Sequence, residues 1–214
     1  MSGLVFNRAE DAPLSGRPLL IVDADEVLFL FIEGLMNFLA ERNLILDLSS
    51  YRLHGNIKTQ ERTVVSDAEV TELLIAFRQT VDSLACVEGA RESLARLSPL
   101  LDIVVLSNVT KAQAPARLRN LERHGFAYPL VTNGGLKGPA VKTLADRSSR
   151  PVFFVDDIPQ QLASAAEEAP DVFRIHLIGD ERLKPLLPPA PQAHLRAENW
   201  RQAEAFICER LAEA

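Results

Sequence analysis

Aspartates in this sequence fall where apolar runs stop. Leu19, Leu20, Ile21 and Val22 lead into Asp23 and Asp25, and Val152 to Val155 lead into Asp156 and Asp157. A third run, residues 103–106, ends in Ser107 and Asn108. Burying charge without partners is costly, so carboxylates at the mouths of buried strands need something to compensate them. Four carboxylates drawn together repel one another unless a cation sits among them. An all-oxygen donor set of this kind suits Mg²⁺, with one carboxylate free to act as a nucleophile.

Whether these residues meet depends on the elements that carry them. Five segments read as short, buried, parallel-type strands: 18–23, 102–107, 128–132, 151–156 and 172–178. Helical patterns separate them. Leu118 and Leu121 mark one, and Val141, Leu144 and Ala145 another. Leu162, Ala165, Ala166 and Ala169 follow helical spacing behind Pro159, and Ala203, Phe206, Ile207 and Leu211 close the chain. Strands alternating with helices predict an α/β fold with a mostly parallel sheet. In such sheets the ligand crevice lies outside the carboxyl ends of the strands, where Asp23, Asp25, Ser107, Asn108, Asp156 and Asp157 all stand.

Residues 31 to 88 break the rhythm. No strand candidate is visible there. Ile32, Leu35, Met36 and Leu39 form one amphipathic stripe, and Val70, Leu73, Leu74, Phe77, Val81 and Leu84 a longer one. Ser66 and Glu69 have capping-box spacing at the start of the second. The region reads as a helical insertion between the first and second strands. Within it Arg52, His54, Lys58 and Arg62 make a locally basic patch, by default a solvated loop, with contact to an anionic substrate as the alternative. Residues 185–192, PLLPPAPQ, read as a proline-rich surface loop.

Bulk properties narrow the function. A net charge of −6 with no basic stripe excludes a general nucleic-acid binder. No apolar run approaches the roughly 18 residues of a membrane span. The N-terminal stretch MSGLVFNRAEDAPLSG lacks the apolar centre of a signal peptide. Cys86 and Cys208 have no metal-type spacing and read as free thiols. The four histidines show no ligand spacing either. A soluble cytoplasmic protein is expected.

Taken in order, these stretches resemble the motifs of the haloacid dehalogenase-like (HAD) superfamily. DADEV, residues 23–27, fits the first motif, and Ser107 fits the hydroxyl of the second. Lys137, in GGLKGPAVKTL, looks like the third-motif lysine, and Asp156-Asp157 fits the paired form of the fourth. Position 26 departs from the pattern, being Glu where many members carry Gly, and Val27 stands in place of Thr. The resemblance implies a Rossmann-like parallel-sheet core, residues 1–30 and 89–214, flanked by helices. An all-helical cap, residues 31–88, would be inserted after the first strand.

It also implies roles. Asp23 would be the nucleophile that forms an aspartyl-phosphate, and Asp25 the general acid and base. Ser107, Asn108 and Lys137 would bind the phosphoryl oxygens. Asp23, the Asp25 backbone carbonyl, Asp156 and Asp157 would hold Mg²⁺. The expected activity is Mg²⁺-dependent hydrolysis of a small phosphorylated metabolite, with no nucleic-acid or membrane partner. Phosphomutase or dehalogenase chemistry, or a catalytically weak binding module, are the alternatives. Dehalogenation is disfavoured because it needs no second acid at position 25.

Overall fold

The computed structural model describes residues 5–213. The first four residues of the stretch that lacks signal-peptide character lie outside them. Among the described residues are nine strands: β1 (Val5–Phe6), β2 (Leu19–Val22), β3 (Leu44–Leu46), β4 (Ile57–Thr59), β5 (Asp102–Ser107), β6 (Leu130–Thr132), β7 (Val152–Asp156), β8 (Phe173–Leu177) and β9 (Leu195–Ala197). Seven helices accompany them: α1 (Phe31–Ala40), α2 (Asp67–Arg78), α3 (Ala90–Leu97), α4 (Ala114–Arg123), α5 (Gly138–Ala145), α6 (Pro159–Glu168) and α7 (Trp200–Ala212).

Seven strands form one parallel sheet in the order β1-β6-β5-β2-β7-β8-β9. The sheet is buried on both faces, which explains the unbroken apolar runs. Leu20, Val22, Ile103, Val105, Phe153 and Val155 join a cluster with residues of α1, α3, α4 and α7. The alternate residues Leu19, Ile21, Val104, Leu106, Val152 and Phe154 join α5 and α6 on the other side. The period of two along each strand thus separates the two helical layers. No described helix is long and apolar enough to cross a membrane.

The stretch 31–88, between β2 and α3, departs from the all-helical expectation. It holds α1 and α2, but between them β3 and β4 pair as an antiparallel hairpin, Leu44 opposite Thr59 and Leu46 opposite Ile57. The second helix is also shorter than its stripe. It starts where Ser66 Oγ accepts the Glu69 N–H at 3.3 Å, and it ends at Arg78; a 3₁₀ turn then carries Val81 to Ser83. Val81 and Leu84 stay buried all the same. The segment leaves and rejoins the core at adjacent points. Val87 N–H donates to Leu28 O at 2.8 Å, and Leu30 N–H to Ala85 O at 2.9 Å.

Candidate active site

Strand register gathers the site. Val22 of the central strand is level with Val105 and Val155 on its two sides. Asp23 and Asp156 each stand one residue beyond that line, and Ser107 two beyond. The Asp23 N–H donates to Val155 O at 2.9 Å, which extends the pairing by one residue. Asp23, Asp156 and Asp157 are all buried, and each offers a carboxylate oxygen within 4.8 Å of the others. The expectation that the strand-end aspartates converge therefore holds for these three.

One cation sits against them. Lys137 is 2% exposed, and its Nζ lies 2.6 Å from Asp23 Oδ1 and 2.7 Å from Asp156 Oδ2. Burial works to lower its pKa, but the two carboxylates overcome that and hold it raised. Its loop is fixed on both sides. The Lys137 N–H donates to Gln161 Oε1 at 2.8 Å, and the Gly138 N–H to Ser164 Oγ at 3.1 Å. A Cβ on Gly138 would lie 2.3 Å from the Ser164 carbonyl oxygen, so glycine is what lets α5 approach α6 this closely.

The remaining aspartates have distinct partners. Asp156 Oδ1 also accepts the Ile158 N–H at 2.9 Å, so the residue both faces the site and tethers the start of α6. Asp157 Oδ2 accepts a hydrogen bond from the Tyr51 hydroxyl at 2.9 Å, a contact reaching in from the inserted segment. The backbone oxygen of Asp157 accepts from His176 Nε2 at 2.8 Å. Burial pushes Asp23 up to about 7, opposed by Lys137 and aided by Asp156 and Asp25. Burial, then Asp156 and Asp23, raise Asp157 well above the carboxylate range.

Asp25 stands apart from this cluster. Its carboxylate pairs with Arg117 of α4, a side chain only 1% exposed whose guanidinium also lies 5.3 Å from the Phe29 ring centre. Among the described residues, Arg117 Nε and Nη1 have no hydrogen-bond partner. Asn108 is tied to the loop after β6: its Nδ2 donates to Gly135 O at 2.9 Å, and its Oδ1 accepts from Asn133 at 2.8 Å. Ser107 Oγ is buried and, among the described residues, has no hydrogen-bond partner; Ser107 is not among the residues that line the cavity over the cluster.

Glu26 explains its departure from the glycine pattern. It adopts φ +57°, and its buried Oε1 accepts the Ile32 N–H at 2.7 Å. That bond caps α1, whose N-cap residue Leu30 supplies no side-chain acceptor. Burial pushes the Glu26 carboxyl up to about 8, against the pull of the Ile32 N–H and with help from Asp180 and Asp25.

A cavity of about 210 Å³ opens over the cluster. Asp23, Asp25, Asn108, Lys137 and Asp157 line it, together with Glu26, Tyr51 and Gln161. Of the basic patch in the inserted segment only Arg52 reaches this wall; Lys58 pairs instead with Asp47 at 2.6 Å. Lys142 is exposed and pairs with Asp146, in keeping with a solvated charge. Arg117, Tyr51 and Gln161 were not singled out by the sequence, since no local pattern marks them.

No protein-family model matches the sequence, and no curated protein does. Solved structures do match. A HAD-like family protein, SP0104 from Streptococcus pneumoniae, is 13% identical with a TM-score of 0.61, covering 91% of this chain and 100% of that one. YfnB from Bacillus subtilis, solved bound to magnesium, is 10% identical with a TM-score of 0.60, covering 89% and 98%. A HAD family hydrolase from Deinococcus radiodurans R1, with bound phosphate and sodium, is 19% identical with a TM-score of 0.57, covering 92% and 97%. Sheet order, the acid cluster at the strand ends and these likenesses agree: the chain has the haloacid dehalogenase-like hydrolase fold.

Proposed function

We propose that the protein is a Mg²⁺-dependent phosphatase that hydrolyses a small phosphomonoester through a phosphorylated Asp23. The observation that carries this reading is the buried Asp23, Asp156 and Asp157 cluster with Lys137 against two of its members. Burial first, and then the neighbouring carboxylates, push Asp23 and Asp157 upward, and three buried carboxylates beside one ammonium leave negative charge in excess. A small hard cation among all-oxygen donors relieves that excess, so the residues present fit Mg²⁺. Asp23, Asp156, Asp157 and the Asp25 backbone carbonyl would hold it. When bound, the ion offsets repulsion between the Asp23 carboxylate and an anionic phosphoryl group.

The chain's own residues account for the steps. An Asp23 carboxylate oxygen attacks phosphorus, and the bond from phosphorus to the ester oxygen breaks. Asp25 gives the leaving oxygen its proton. In the second half Asp25 takes a proton from water as the water oxygen attacks phosphorus; inorganic phosphate departs and the Asp23 carboxylate is restored. Lys137, Ser107 and Asn108 bind the phosphoryl oxygens as charge moves onto them. Residues 31–88 act as a cap over the cavity, a reading supported by Tyr51 on Asp157 and by the paired crossings at Leu28 to Leu30 and Ala85 to Val87.

The test is hydrolysis of phenyl phosphate with Mg²⁺, with chelator, and in Asp23→Asn, beside calorimetric titration of Mg²⁺ into the metal-free protein. Turnover is expected to need Mg²⁺ and to vanish in Asp23→Asn, with no acid-stable phosphoenzyme trapped. Full activity in chelator would overturn the metal assignment, and near-normal turnover of Asp23→Asn the covalent route.

A further inference from the structure

The walls of the cavity beyond the acid cluster have a composition of their own. Phe31, Leu46, Leu48 and Leu53 come from the inserted segment, and Ile158 and Leu183 from the core. These side chains offer no hydrogen bonds, and the polar groups that share the lining, on Ser50, Tyr51, Asn108 and Gln161, are already bonded within the protein. A polyhydroxylated body placed among them would leave its hydroxyls desolvated and unpaired, at a cost for each. At about 210 Å³ the space is below the ~300–1,000 Å³ of pockets that enclose drug-sized ligands, which limits the body to about one ring or a short chain.

Two cations share this wall. Arg52, from the loop after β3, is exposed, and Arg78, the last residue of α2, is half-buried; both line the cavity. Among the described residues neither guanidinium has an ion-pair or hydrogen-bond partner, although nearby cations do, Lys58 with Asp47 and Arg42 with Glu41. A guanidinium presents a planar fork that fits a carboxylate, and it is the cation suited to reading one at a site edge. The phosphate end has its own cation in Lys137, so the two arginines are left for a second anionic group.

We propose that the substrate is a phosphomonoester with a compact apolar body carrying a second anionic group, the body held by the apolar wall and the anion by Arg52 and Arg78. This rests on the phosphatase reading for the placement of the phosphate. Selectivity then comes from both ends of the wall: apolar contact disfavours sugar-like bodies, and the arginines favour a carboxylate over a neutral ring.

The test reads binding separately from turnover. Benzylphosphonate, (4-carboxybenzyl)phosphonate and a dihydroxyalkyl phosphonate of similar size, none of them hydrolysable, are titrated calorimetrically into the Mg²⁺-loaded protein. The carboxylate-bearing probe is expected to bind about 10-fold tighter than benzylphosphonate, and benzylphosphonate about 10-fold tighter than the dihydroxyalkyl probe. In Arg52→Gln/Arg78→Gln, with folding checked by circular dichroism, the first ratio is expected to fall to within about 2-fold. Equal affinities, a preference for the dihydroxyalkyl probe, no binding by any probe, or a ratio unchanged in the double variant would each overturn the proposal. Phenyl phosphate and 4-carboxyphenyl phosphate are assayed in parallel. Ratios as expected with no turnover of either ester would overturn the phosphatase reading alone and sustain this one; turnover with flat ratios would do the reverse.

Discussion

Lys137 is buried against two carboxylates, so its removal strips the cluster of charge balance as well as the proposed phosphate ligand. Breaking a buried pair by deleting one partner costs ~3–5 kcal/mol, and losing a donor to the transition state costs ~10²–10³-fold in rate. Lys137→Ala is therefore expected to lose that much in kcat/KM and to melt earlier in the metal-free state. Lys142→Ala, at an exposed pair, should stay within about 0.5 kcal/mol of the native chain. Steady-state kinetics and thermal melts of both variants check this, and a crippled Lys142 variant beside a normal Lys137 one would refute it. Glu26 gives a pH signature. Its folded pKa, about 8, lies above the unfolded value near 4.5, so stability is full below about pH 4.5 and lost as pH rises towards 8. Glu26→Gln escapes this loss. In chelator, the Tm difference should move in the variant's favour by roughly 5 °C between pH 5 and 8 and level off above, whereas a flat difference would sink the assignment. The aspartates were legible because each follows an apolar strand. Arg117 was not, because it lies 92 residues from the Asp25 it pairs with and sits on a helix whose pattern marks only Leu118 and Leu121.

Packing between α5 and α6 decides whether the lysine loop is in place. Gly138→Ala would drive a methyl group to 2.3 Å from backbone rather than from a flexible side chain, so one helix must move. Overpacking of this kind costs ~1–3 kcal/mol. A lowered Tm is expected together with loss of phenyl phosphate turnover, because Lys137 is the adjacent residue; a variant equal to the native chain in both would show that the helices part freely. The three central strands were readable from apolar runs of four residues, and all five expected strands appear, 102–107 with the same bounds and the other four with ends shifted by one or two residues. The hairpin was not. β3 and β4 have three residues each, too few for alternation to show, and they pair only once folded. The sheet edges β1 and β9 escaped for the same reason, with two and three residues. The stripe from Val70 to Leu84 read as one helix because the 3₁₀ turn keeps Val81 and Leu84 facing the core.

At the scale of the molecule, the inserted segment and the sheet meet through Tyr51. Its hydroxyl donates to Asp157, a proposed metal ligand, and partners of this kind orient a ligating carboxylate. Tyr51→Phe is expected to weaken Mg²⁺ binding about 10-fold by calorimetry with little change in Tm; an unchanged affinity would remove Tyr51 from the metal's surroundings. The sequence carried the architecture of the sheet half because each strand is a local signal and the acids follow the strands. It carried little of the other half, where Tyr51, Arg52 and Arg78 acquire a common wall only through folding. The crossings at Leu28 to Leu30 and Ala85 to Val87 have a further consequence. Chain leaves and returns at the same spot, so residues can be gained, lost or replaced between the two crossings without shifting any strand against its neighbour.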